Sequence, residues 1–128
     1  MRNRHPRGLL LVLVLLFSAA AVTCSGAGVP SQSDGEKVFK HTNGGIKRGI
    51  WKLRSFSKTN GQQGEVFGVK VYRLDYAAEL EYAQDEPDAF GNTGGSGLHK
   101  KGDIIKRNGS LRFEKTEKGW KGQDGEIY

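Results

Sequence analysis

The stretch Tyr72-Arg73-Leu74-Asp75-Tyr76-Ala77-Ala78-Glu79-Leu80-Glu81-Tyr82 decides the fold. Every second residue is apolar (Tyr72, Leu74, Tyr76, Ala78, Leu80, Tyr82), and four of the five between them are charged. A period of two held this long is the signature of a strand with one face on a core and the other in water. Helix propensity favours Ala77–Asp85, but a helix would scatter Tyr and Leu spaced by two around its circumference. Upstream, Phe67, Val69 and Val71 fall on the opposite parity. That places a bulge at Gly68 or at the Val71-Tyr72 step.

The neighbouring segments read as partners for this strand. In Gly49–Thr59 the apolar residues Ile50, Trp51, Leu53 and Phe56 mix with Lys52, Arg54 and Lys58 and change face between Leu53 and Phe56, which predicts a bulge or bend. Thr59–Glu65, TNGQQGE, is rich in residues that tolerate positive φ and reads as a turn. Ile104–Thr116 is either a hairpin turning at Asn108-Gly109 or one strand bulged at Gly109. Glu117–Gly119 then turns into a last short segment, WKGQDGEIY. Ahead of the strands, Ser33 with Glu36 resembles a capping box opening a short helix that Asn43-Gly44-Gly45 closes. Only Val38 and Phe39 in that helix would face a core. The expected fold is α+β and mainly β: a short N-terminal helix, then three to five antiparallel strands in one small domain.

The chain opens as a secretory leader does. Arg2, Arg4 and Arg7 precede the apolar run Leu9–Val22, and small residues follow. Fourteen helical residues reach about 21 Å, short of the roughly 30 Å hydrocarbon core. The expected organisation is a signal peptide over 1–24, a flexible tether over 25–35 and a sheet domain over 36–128. Cys24 is the single cysteine, so no intramolecular disulfide forms. It lies within AAAVTCSGA, where three processing routes stay open: lipidation at Cys24, ordinary cleavage guided by Ala19-x-Ala21, or a cut after Ala27 that discards Cys24.

Charge changes meaning once the leader is set aside. The formal net charge of +6 falls to +3, because 17 basic residues then face 14 acidic ones. Residues 37–73 hold nine Lys/Arg against Glu65 alone, residues 75–88 six acids and no base, and residues 100–121 eight Lys/Arg against three acids. An acidic strand between two basic ones would set Asp75, Glu79 and Glu81 opposite Lys52, Arg54, Arg112 or Lys115. Segregation within one sheet largely cancels itself, which weakens any nucleic-acid reading.

Chemistry-bearing motifs are few. His41 and His99 stand apart, and Asp85–Asp88 lacks the alternate ligand spacing of a calcium loop. Gly91–Lys100 fails the phosphate-loop pattern, since Lys101 follows Lys100 where Ser or Thr is needed. Ser96 misses the nucleophile-elbow spacing by one position. Asn108-Gly109-Ser110 is a glycosylation sequon, relevant only in a eukaryotic host. Tyr72, Tyr76 and Tyr82 share a face with Leu74 and Leu80 and belong to a core. Trp51 and Trp120 remain the aromatics best able to line a small pocket.

Two blocks, SKTNGQQGEVFGVKVYRLDYAAELEY (Ser57–Tyr82) and GSLRFEKTEKGWKGQDGEIY (Gly109–Tyr128), resemble segments of short bacterial secreted or lipid-anchored proteins. The resemblance implies a bacterial exported protein in which Gly109 bulges a continuous strand. It implies no reaction, ligand or catalytic residue. The chain departs from that group in Asp85–Lys101, which is usually longer there and includes apolar residues.

These features point to a non-catalytic exported protein of the envelope, periplasmic or extracellular, whose domain binds an envelope protein or a small ligand. Cys24 would serve as its membrane tether if lipidated. No cofactor or metal is expected, and export argues against nucleic acid as a partner. One alternative is a small-ligand or enzymatic sheet domain with a pocket near Trp51 and Trp120. A weaker one is a binder of anionic polymers or lipid headgroups.

Overall fold

A computed structural model describes residues 28–86 and 98–128. Helix α1 (Gln32–Thr42) and the single turn α2 (Gly44–Lys47) precede four strands, β1 (Trp51–Val66), β2 (Val69–Tyr82), β3 (Ile104–Thr116) and β4 (Gly119–Gly122). The strands form one antiparallel meander in the order β1-β2-β3-β4. The fold is thus a small, mainly β domain with two short helices.

The alternating stretch is β2, and its apolar set is the floor of the core. Tyr72, Leu74, Ala78, Leu80 and Tyr82 are buried, beside Leu111 and Phe113 of β3, Phe56 of β1 and Trp120 of β4. Val38 and Phe39 of α1 cover them from one side. Phe39, Phe56 and Tyr76 form an aromatic cluster with ring centroids 5.1–5.6 Å apart. Burying such side chains contributes about 1.5–3 kcal/mol each, enough to fix the helix on the sheet.

Helix α1 begins two residues earlier than the Ser33–Glu36 reading implies. Ser31 is the N-cap: its hydroxyl accepts from the Asp34 N–H at 3.2 Å, and the Asp34 carboxylate accepts from the Ser31 N–H at 2.8 Å. This is the same capping chemistry in another register. Pro30, within the expected 25–35 tether, is fully buried against the domain. Asn43 then closes α1 and caps α2, its side chain accepting from the Ile46 N–H at 3.0 Å.

The glycines of the sheet overturn three local assignments, two turns and a bulge. Thr59–Glu65 is no turn, since β1 runs straight through it to Val66. The reversal lies at Phe67-Gly68, so Gly68 is a turn residue and not a bulge in β2. Ile104–Thr116 is one strand, and its pairing with β2 runs unbroken from Glu81↔Ile104 to Val71↔Glu114. Gly109 therefore neither turns a hairpin nor bulges the strand. A β-carbon on Gly61 would meet the Tyr72 hydroxyl at 1.8 Å, and one on Gly109 the Tyr76 hydroxyl at 2.7 Å. Both glycines make room for a tyrosine ring crossing from β2. The predicted irregularity between Leu53 and Phe56 is present as a register shift between Leu53 and Ser55, and a second lies between Lys58 and Asn60.

Candidate functional site

The sheet face opposite α1 carries the segregated charges. Arg54 pairs with Glu81 at 3.0 Å across β1 and β2, as the charge pattern suggests. The other partners differ from expectation. Lys106 faces Glu79 at 3.9 Å, while Arg73 reaches along its own strand to Asp75 at 2.8 Å. Arg112 likewise pairs with Glu114 on its own strand, at 3.2 Å. The Ser110 hydroxyl donates to Asp75 at 2.6 Å. That hydroxyl and the Arg73 guanidinium hold the Asp75 carboxyl below its ordinary value. Exposed pairs of this kind set register more than they stabilise.

Trp51 and Trp120 sit in different places. Trp51 starts β1 and lies edge-on to Tyr82, 6.0 Å between ring centroids, with the Arg107 guanidinium 5.9 Å from its own ring. Its indole N–H is enclosed and has no hydrogen-bond partner among the described residues. Trp120, on β4, is 6.0 Å from Tyr72, and its indole N–H donates to the Gly28 carbonyl at 2.7 Å. The two tryptophans do not share a pocket. Trp120 alone lines a hollow of about 560 Å³, walled by Gln63, Glu65, Lys70 and Lys115. The hollow lies where the β2–β3 ladder ends at Val71↔Glu114, while β3 stays paired with β4 through Thr116↔Gly119. Cys24 lies outside the described residues.

A cluster that no motif signals joins α1 to the end of the chain. One oxygen of Asp124 accepts from His41 Nδ1 at 2.7 Å and from the Tyr128 hydroxyl at 2.6 Å. The Asp124 side chain is only 4% exposed, whereas His41 is 54% exposed. Burial pushes the Asp124 carboxyl up, but hydrogen bonds from Tyr128, His41 and the Glu126 N–H outweigh it and hold the group below its ordinary value. Burial and the neighbouring carboxylate push the Tyr128 phenol above its own. An ionised carboxylate only accepts, so Nδ1 carries the proton and Nε2 is the outward nitrogen. The nearby Thr42 hydroxyl donates to the Val38 carbonyl at 2.8 Å and takes no part in the cluster. The cluster ties β4 and its tail to α1. Eighty-three positions separate His41 from Asp124, so spacing along the sequence carries no sign of it.

His99 is engaged as well. It stacks on Tyr82 with ring centroids 4.8 Å apart, and its Nδ1 lies 2.7 Å from Glu86. Asp85 accepts from the Lys101 N–H at 2.9 Å. The two carboxylates considered for calcium thus close the base of the loop, and Asp88 lies outside the described residues. No cluster of three or more metal-ligating side chains occurs among the described residues. No helix among them is long and apolar enough to cross a membrane.

One region stands apart from the packed core. Every residue from Thr59 to Lys70 is exposed, although most lie in regular strand. The β1–β2 hairpin therefore projects from the body with the Trp120 hollow at its base. At its tip, Phe67 (φ 49°) and Gly68 (φ 80°) form a two-residue turn. Compared with family models, with curated proteins and with solved structures, the chain matches none.

Proposed function

We propose that this chain is an exported envelope protein whose folded domain works by binding, without catalysis, through the projecting end of the β1–β2 hairpin. The observation that carries this reading is the exposed run from Thr59 to Lys70, which builds a long hairpin yet adds no buried side chain to the core. Strand held in order without burial is costly, and an outside contact is the physical reason to keep it. The arginine-led apolar run at residues 2–22 supports export. Photo-cross-linking in a bacterial host tests the reading. A photoreactive residue at Val69 should form adducts in the envelope fraction, while one at Leu98 should not. Absence of adducts from Val69 overturns it.

A second reading, a small-ligand site, is favoured by Trp120 at the hollow's wall with the Lys115 ammonium 5.1 Å from its ring. Trp51→Phe leaves Trp120 as the single indole. Saturable change in its fluorescence across a panel of small metabolites supports that reading, and an unchanged signal rejects it.

A further inference from the structure

We propose that the hairpin tip, Val66-Phe67-Gly68-Val69, contacts a lipid bilayer and docks the domain on it by inserting Phe67 into the interfacial region. This names the partner class for the binding surface above and rests on that reading.

The first argument is the position of Phe67. Its side chain is fully exposed. Its backbone has a φ of 49°, a region that disfavours any side chain with a β-carbon and a bulky one most. Two-residue hairpin turns with both φ values positive favour Asn-Gly or Asp-Gly. Phenylalanine is thus unfavourable here, and nothing among the described residues compensates. An external apolar environment does.

The second argument is what surrounds it. Val66 and Val69 face each other across the last rung of the hairpin, and both are exposed. Val66, Phe67 and Val69 make up three of the seven exposed large apolar side chains among the described residues. The nearby charges nearly balance: Lys70, Lys115 and Lys118 against Glu65 and Glu117. An acidic polymer or strongly charged protein would find little to attract it. Three apolar side chains at a tip also fall far short of the roughly 800 Å² per partner of a stable protein interface. They do suit shallow insertion among lipid headgroups.

The third argument is where the chain enters. Gly28 is held by Trp120, and the Pro30 carbonyl accepts from Lys58 at 3.0 Å, so the N-terminal segment joins the domain near the base of the hairpin. Cys24, the candidate lipidation site, stands four residues upstream of Gly28. Four residues span at most about 14 Å, and the five residues from Tyr72 to the tip span roughly 16 Å. A lipid on Cys24 and the hairpin tip would therefore reach the same surface. A short tether raises the local concentration of a contact too weak to act alone.

Full-length protein with phosphatidylcholine vesicles tests the proposal. Phe67→Trp and Leu98→Trp each add one indole at an exposed site, at opposite ends of the sheet. Brominated phosphatidylcholine should quench the added emission at 67 by about twofold and leave that at 98 unchanged, as expected for shallow insertion. The effect should persist in about 0.5 M salt, where exposed charges are screened. Equal behaviour at 67 and 98 overturns the proposal, as does quenching that needs anionic lipid or vanishes with salt. Shielding of the indole at 67 without lipid, accompanied by a dimeric mass, overturns it in favour of a second copy. In the cellular experiment, Val69 adducts to protein instead of lipid overturn the membrane contact while leaving the binding reading intact.

Discussion

The Tyr72 ring lies across Gly61 so closely that a β-carbon on the glycine would fall 1.8 Å from the phenolic oxygen. Tyr76 and Gly109 repeat the relationship on the other side of β2, at 2.7 Å. Each tyrosine is thus held against bare backbone of a neighbouring strand. Gly61→Ala should cost about 1–3 kcal/mol in urea unfolding, the range for overpacking. Combining it with Tyr72→Leu should recover part of that loss, because the two changes share one contact. Strict additivity would mean that the ring is not what excludes the methyl group.

A change at the tip should act in the opposite direction on stability. Phe67→Asn removes a bulky residue from a left-handed conformation and should raise the unfolding free energy by about 1 kcal/mol. The same variant should lose its vesicle contact. A gain in stability together with a loss of docking would mark Phe67 as a residue kept for its partner, and an unstable variant would contradict that view.

The Asp124 cluster predicts a stability curve that falls at both ends of the pH scale. The folded-state carboxyl lies below its ordinary value of 3.8, so its contribution is present above that pH and fades as the pH falls through the folded value. The Tyr128 phenol lies above its ordinary value of 10.0, so its contribution is present below that pH and fades as the pH rises beyond it. Asp124→Asn should flatten both limbs. At neutral pH it should cost about 1.5–3 kcal/mol, the range for hydrogen bonds to a charged group. Thermal melts at pH 3, 7 and 11 compare the two proteins directly.

Trp120→Phe keeps the ring in the core but deletes the donor to Gly28. The expected cost is about 1 kcal/mol in stability. Limited proteolysis should also cut faster around residues 25–30, since the entering chain loses one of its fixed points. Unchanged cleavage would show that Lys58 and the buried Pro30 suffice to hold it.

The periodicity of β2 was legible because burial on one face writes itself directly into residue type. Leu53 to Phe56 announced its bulge for the same reason: a register shift moves apolar residues from one parity to the other. The glycines misled. Gly61 and Gly109 have the composition of turns, yet their role depends on a ring arriving from another strand, which no local window contains. Phe67-Gly68 shows the converse, a turn concealed by an aromatic residue where polar ones are the rule. His41, Asp124 and Tyr128 meet only after the meander brings the end of the chain beneath α1. Trp51 and Trp120 were the right kind of residue for a pocket, but strand order carries them to different parts of the sheet.

The outer edge of β1 carries one last consequence. It is the longest strand among the described residues, 16 residues, and among them only β2 pairs with it, along one side. A flat edge of that length would invite further chains to add on, in the manner of a growing fibre. Two register shifts, at Leu53/Ser55 and Lys58/Asn60, break its line of donors and acceptors, and the Lys58 N–H is claimed by the Gln32 side chain at 3.0 Å. Lys52, Arg54 and Lys58 add charge along the same stretch. Irregularities that look like defects in pairing thus keep the domain from templating its own aggregation.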